Sequence, residues 1–329
     1  MINIQQSSNL NNGLAPAVEF SFSEKLTVSE RDVCISIFKN LAVSIRQQHP
    51  ELSFDRLLLV IVSDDVWETV SELEKTIGRE LQAARNGAES HLVFAVDLGH
   101  FDVLVYRIEL INGFSNGHPS KTDSVWYYLN TLASIHYFTV VNAMFTDDPR
   151  CKKANHAELS IFSIASHLLA KYWAGYFSFH THNSPVTPFD DLAETMAHES
   201  KQIETAFTMN VEHADESRLF SELHSSAVSV CQSMVTVMGY CDAANQSLTE
   251  ISPKTWALIL RWNFEEVWLK MAPDVRMVFS GRYQWKSASE LLPAVRVLND
   301  FVDRYGVSFT SDGGTTPFRS IALERKNAH

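Results

Sequence analysis

Two long stretches near the middle of the chain are apolar around their whole circumference. Asp123 to Phe145 and Ala154 to about Phe177 set aromatic and aliphatic residues on every side of a helix instead of along one stripe. Such a helix has to be covered all round. The pair therefore needs other elements packed about it, which favours one layered unit over a string of small domains. Hydrophobic residues make up 45% of the 329 and charged residues 20%, enough apolar material for that core. Glycine occurs 12 times in 329, about half the usual 7% or so. That scarcity argues against collagen-like, Rossmann-type and turn-dense all-β designs.

The rest of the chain supplies the cover. Residues 1–26 lack periodicity and read as a flexible N-terminal arm. Ser29 and Glu30 open a helix to about Gln48, with Val33, Ile37, Leu41 and Ile45 at four-residue spacing. Leu57 to Val62 is an unbroken apolar run suited to a buried strand. Ser63-Asp64-Asp65 then offers an N-cap for a helix to about Ala84. His91 to Asp97 reads as a strand paired beside the first, while Phe101 to Ile111 can be strand or helix. Asp147-Asp148-Pro149 breaks the first apolar helix. Further helices are expected over 189–209, 213–239, 253–271 and 287–304, with a short strand over 307–310. The expected fold is α+β, mainly α-helical with a small β-sheet. Residues 27–329 form one domain, and a sub-boundary can fall near 115–122.

Net charge is −12, which disfavours a phosphate-neutralising surface, so no nucleic-acid partner is expected. Cys34, Cys151, Cys231 and Cys241 are far apart with no C-x-x-C pair, the pattern of reduced thiols in a cytoplasmic protein. Cys151, beside Lys152 and Lys153, has neighbours that can lower a thiol pKa, though a loop thiol is the plainer reading. No run reaches the roughly 18 apolar residues of a membrane span, and the polar amino terminus lacks a secretory signal. Phosphate loops of the G-x-x-x-x-G-K-[ST] type and G-x-S-x-G elbows are absent. The aromatic set Trp256, Trp262, Phe264 and Trp268 is expected on one helix. Trp256 and Trp268, twelve positions apart, should not share a tight stripe.

Thirteen histidines raise the question of a metal. H-E-x-x-H, which places two histidine ligands one helical turn apart, does not occur. His180-Thr181-His182 can present two imidazoles to one ion if extended, and Asp190 or Asp191 follows. The set resembles the H-x-H…Ser-x-x-Asp signature of JAMM metallopeptidases. The interval from His182 to either aspartate is shorter than in that signature, and its serine has no clear match.

A broader resemblance runs through the buried helix pair. Leu132 to Ala143 reads LASIHYFTVVNA, and the second helix offers Trp173-Ala174-Gly175-Tyr176-Phe177-Ser178. These segments resemble the A-x-x-HEFxHVHD and W-S-E-Y-F-A helices of a group of bacterial zincin-like proteins. An apolar strand ending in Asp97, Met238-Gly239-Tyr240 at a later helix end, and Tyr283 to Ser287 before the last helix follow the same order. On that alignment His136 matches the first zinc histidine, Phe138 the phenylalanine and Val141 the valine. Tyr137 stands for the general-base glutamate, Val140 for the second histidine and Gly175 for the glutamate ligand. The resemblance implies a zincin-like helix pair in the core whose metal ligands are lost.

A catalytic zinc needs three protein ligands at about 2.0–2.2 Å and an open position for water, with a carboxylate to take the proton. His136 alone is left of that set. Tyrosine, with an ordinary pKa near 10, is a poor base at neutral pH. The expectation is a pseudoenzyme without cofactor that binds a protein partner or its own copies, with His136 a hydrogen-bonded core residue. Replacing His136 with alanine should then alter stability and leave metal content unchanged. Two alternatives stand beside it: a metal-dependent hydrolase using His180, His182 and Asp190 or Asp191, and a self-assembling, coat-like structural protein.

Overall fold

Strand Leu57–Ser63 anchors a four-stranded sheet, because its LLLVIVS run lets it be covered on both faces. The computed structural model describes residues 18–81, 93–98, 101–109, 121–179, 186–213, 216–298, 301, 308–309 and 321–322. The chain divides into two units, Met1–Thr139 with Phe177–Thr187, and Val140–Tyr176 with Pro188–His329. The fold is α+β, mainly helical with one small mixed sheet.

The first unit holds that sheet. In chain order come β1 (Glu19–Phe22), α1 (Val28–Gln48), β2 (Leu57–Ser63), α2 (Val66–Ile77), β3 (Val93–Asp97) and β4 (Asp102–Arg107). The strand order is β1-β2-β4-β3. β1 and β4 flank β2 in parallel, with Phe20 opposite Val60 and Leu104 opposite Val60 on the other side. β3 closes the sheet antiparallel to β4, Phe94 facing Val105. Three sequence expectations are corrected here. Residues 19–22, placed in the arm, form an edge strand. Within the 101–111 segment, Asp102–Arg107 is a strand, and it inserts between the two apolar runs expected to be neighbours. DVLVYR is buried at five of six positions and suits a central place, whereas Ala95 of β3 is exposed, as an edge allows. Finally, α2 ends at Ile77, short of Ala84, because Gly78 takes the left-handed conformation (φ 70°) that stops a helix.

α1 starts in a capping box, with the Thr27 side chain accepting from the Glu30 N–H and Glu30 accepting from the Thr27 N–H. Its buried residues are Cys34, Phe38, Ala42 and Ile45. The expected stripe is thus turned by about one position, and Val33 is 55% exposed. Phe38 explains the turn. It packs edge-on to Tyr106 at 5.2 Å, meets the Tyr128 ring at 4.9 Å, and its carbonyl accepts the Tyr128 hydroxyl. The opposite face of the sheet is closed by Val66, Val70 and Leu73 of α2 on Ile61, Val103 and Val105.

The apolar helices are α3 (Lys121–Asp147) and α5 (His156–Ser178), separated by the short α4 (Pro149–Lys153). Both are buried on several faces, as expected: Trp126, Leu129, Leu132, Ile135 and Tyr137 on α3, and Leu168, Leu169, Tyr172 and Trp173 on α5. Then follow α6 (Val186–His213), α7 (Glu216–Ala244), α8 (Leu248–Ile251), α9 (Pro253–Arg261) and α10 (Glu265–Ser280). A 3-10 segment (Ala288–Val295) and a two-stranded ribbon (Ser308–Phe309 with Ile321–Ala322) complete the described chain. The single helix expected over 253–271 is two. Asn263, at φ 55°, turns the backbone between them. That corner brings Trp256 and Trp268 together edge-to-face with centroids 6.3 Å apart, so twelve positions of separation did not keep them from meeting.

Candidate functional site

His136 lies on α3, where burial leaves it 2% exposed. Its Nδ1 accepts the backbone N–H of Ser53 at 2.8 Å, a partner 83 positions away. That donor requires an unprotonated Nδ1, so the ring is neutral and carries its proton on Nε2. Burial drives the same way, pushing the imidazole pKa down to about 4 against the opposing charge of Glu51. His136 is therefore a hydrogen-bonded core histidine that holds the turn leading into β2. Tyr137, at the general-base position, is fully buried, its ring edge-on to Phe138 at 5.4 Å. Val140 is a half-buried aliphatic residue, one helical turn beyond His136.

Gly175, at the glutamate position, has a different use. A Cβ built there would collide with the carbonyl oxygen of Thr236 and sit 2.9 Å from its carbonyl carbon. The contact is reciprocal. A Cβ on Gly239 would collide with the Tyr172 carbonyl oxygen and lie 2.9 Å from the Tyr176 nitrogen. α5 and α7 thus cross at backbone contact, each supplying the glycine the other needs. No side chain, least of all a carboxylate, fits at 175 in this crossing. Next to it Trp173 packs edge-on to Phe279 and Tyr283, at 5.5 and 5.6 Å.

The alternative ligand set divides. His180 and His182 lie outside the described residues. Asp190 is exposed on α6, and Asp191 is half-buried. Burial lowers the Lys171 pKa, and the Asp191 charge works against that shift. Among the described residues, no three His, Cys, Asp or Glu side chains cluster as metal ligands.

Two further carboxylates organise the second unit. Asp148 caps α4 by accepting the Arg150 N–H at 2.8 Å, and also accepts the Ala288 N–H at 2.7 Å and the Ser287 hydroxyl at 3.1 Å. These donors, the Ala288 N–H foremost, hold its carboxyl below the usual range. Asp242 on α7 accepts a bidentate pair from Arg276 at 2.8 and 2.7 Å and the Tyr172 hydroxyl at 2.5 Å, joining α5, α7 and α10. Burial, then the carboxylate, raises the Tyr172 pKa, so this phenol is a fixed donor and not a nucleophile. The Asp-Pro pair at 148–149 signals a helix cap in sequence. Nothing local to Asp242 signals its partners.

The four thiols are held towards their protonated form. Burial pushes Cys34 up to about 11 and Cys231 and Cys241 up to about 12. Cys151 sits on α4, half-buried, and burial with the Asp148 charge raises its pKa. The lowering by Lys152 and Lys153 that sequence proximity allowed does not occur. Among the described residues, no helix is long and apolar enough to cross a membrane. Searches against protein-family models, curated proteins and solved structures find no match to this chain.

Proposed function

We propose that the chain is a non-catalytic, zincin-like protein that acts by binding a protein partner or its own copies. The supporting observation is the crossing at Gly175. The position where the resemblance would put a zinc-ligating glutamate has no room for a side chain, because α7 presses its backbone there. His136, the one matching ligand, spends its Nδ1 on Ser53. The helix that would carry the third ligand is instead locked to α7 by backbone contact and to Phe279 and Tyr283 by ring packing. What remains of such a protein is a scaffold, and its work lies in what it touches.

Elemental analysis of the purified full chain, with solution mass by light scattering, tests this. Expected is zinc far below one per chain and either a discrete oligomer or a monomer that takes up a defined partner. About one zinc per chain, the content of a single catalytic site, lost in His136→Ala, would overturn the proposal. Zinc that survives His136→Ala would overturn it as well, and would direct attention to His180 and His182.

A further inference from the structure

A second feature of the Val140–Tyr176 and Pro188–His329 unit involves neither His136 nor Gly175 and does not depend on the zincin-like reading. The segments around α4, the start of α5 and the 3-10 segment enclose a concavity of about 500 Å³. Pro149, Ala154, Ile161, Phe162 and Leu292 supply its apolar lining, and Arg150 and Lys153 supply cations. That volume lies in the range of small-molecule sites, which run from about 300 to 1,000 Å³.

The charges at this concavity are uneven. α4 carries Arg150, Lys152 and Lys153 within five residues, in a chain whose net charge is −12. The acid in the lining, Glu158, is already engaged. It accepts the Asn155 N–H at 2.9 Å while the Asn155 side chain accepts the Glu158 N–H at 3.0 Å. Asp148, just outside, directs its two oxygens to the N–H groups of Arg150 and Ala288 and the hydroxyl of Ser287. Those bonds also tie the α4 wall to the 287–292 wall. The concavity is set by a buried carboxylate and does not depend on side-chain contacts alone.

We propose that this concavity binds a small amphipathic carboxylate, an alkyl or arylalkyl monoacid. The apolar body lies along Ile161, Phe162 and Leu292, and the carboxylate meets Arg150 and Lys153. An apolar body without the anion would leave two cations facing it. A bare anion would leave the apolar lining in water. Both halves of the ligand follow from the lining.

Isothermal titration calorimetry on the full chain uses decanoate, decanol and acetate as probes. Expected is saturable one-to-one binding of decanoate below its micelle concentration. Binding should be about tenfold or more weaker for decanol and for the double variant Arg150→Ala/Lys153→Ala. Both substituted side chains are exposed, so the variant should unfold at the wild-type temperature. Ile161→Gln should weaken decanoate and leave the negligible affinity for acetate unchanged. Absence of saturable decanoate binding, equal affinity for decanoate and decanol, or equal affinity of wild type and double variant would overturn the proposal. Acetate binding as tightly as decanoate would overturn it too, because the apolar lining would then play no part.

Discussion

Lowering the pH from 7 to 4 should remove one specific contribution to stability, that of neutral His136. Its folded pKa is about 4, against an ordinary value of 6.5. Between those values the unfolded chain takes up a proton that the folded chain refuses, so protons favour unfolding. The contribution is fully present above about 6.5 and is lost as the pH falls towards 4. Each pH unit in that window costs about 1.4 kcal/mol, or about 3 kcal/mol across it. The comparison variant is His136→Asn, whose side-chain oxygen can accept the Ser53 N–H without titrating. Urea denaturation at pH 7, 6, 5 and 4 gives the stability of both proteins, and other acid-sensitive groups cancel in the difference. Wild type should exceed the variant by an amount that shrinks by about 3 kcal/mol over the series. A difference that stays constant with pH would refute the assignment of a neutral, Nδ1-accepting His136.

Other parts of the structure can be tested as directly. Tyr172→Phe should cost about 1.5–3 kcal/mol, the worth of a hydrogen bond to a charged group. In a double-mutant cycle it should be strongly coupled to Asp242→Asn, and additivity of the two losses would contradict the shared carboxylate. Asp148, held below its ordinary value, stabilises the fold above about pH 4, and this is lost as the pH falls through its lower folded pKa. Asp148→Asn should therefore be less stable than wild type at neutral pH, with the gap closing in acid; a gap that widens would exclude the Ala288 tie. An aromatic disulfide reagent at pH 8 should modify the native thiols slowly, Cys151 first, since Cys34, Cys231 and Cys241 are buried. A fast burst of one thiol would show an activated cysteine that the structure does not contain.

What the sequence disclosed follows the range of the forces involved. The apolar helices, the break at Asp148-Pro149 and the strand Leu57–Ser63 were legible because periodicity and caps are local. Sheet order was not, since two buried apolar strands look alike until a third, 102–107, inserts between them. The core face of α1 was misjudged by about one position because aromatic partners far along the chain, Tyr106 and Tyr128, select Phe38 over Ile37. The corner at Asn263 depends on one left-handed residue within a helix-forming run. The role of Gly175 was beyond reach for the same reason. A glycine standing where a ligand is expected reads as a loss, and only the approach of Thr236 shows it as a requirement.

The stability of Gly175→Ala tests that requirement most directly, because two effects oppose each other in sign. Helix propensity alone favours alanine by about 1 kcal/mol. Crowding against the Thr236 carbonyl should cost about 1–3 kcal/mol or more, because the opposing atom is backbone and cannot swing aside. Urea denaturation at pH 7 should therefore find the variant less stable than wild type. A variant as stable as wild type, or more so, would mean that α5 and α7 leave room at 175 and that the position could still carry a ligand.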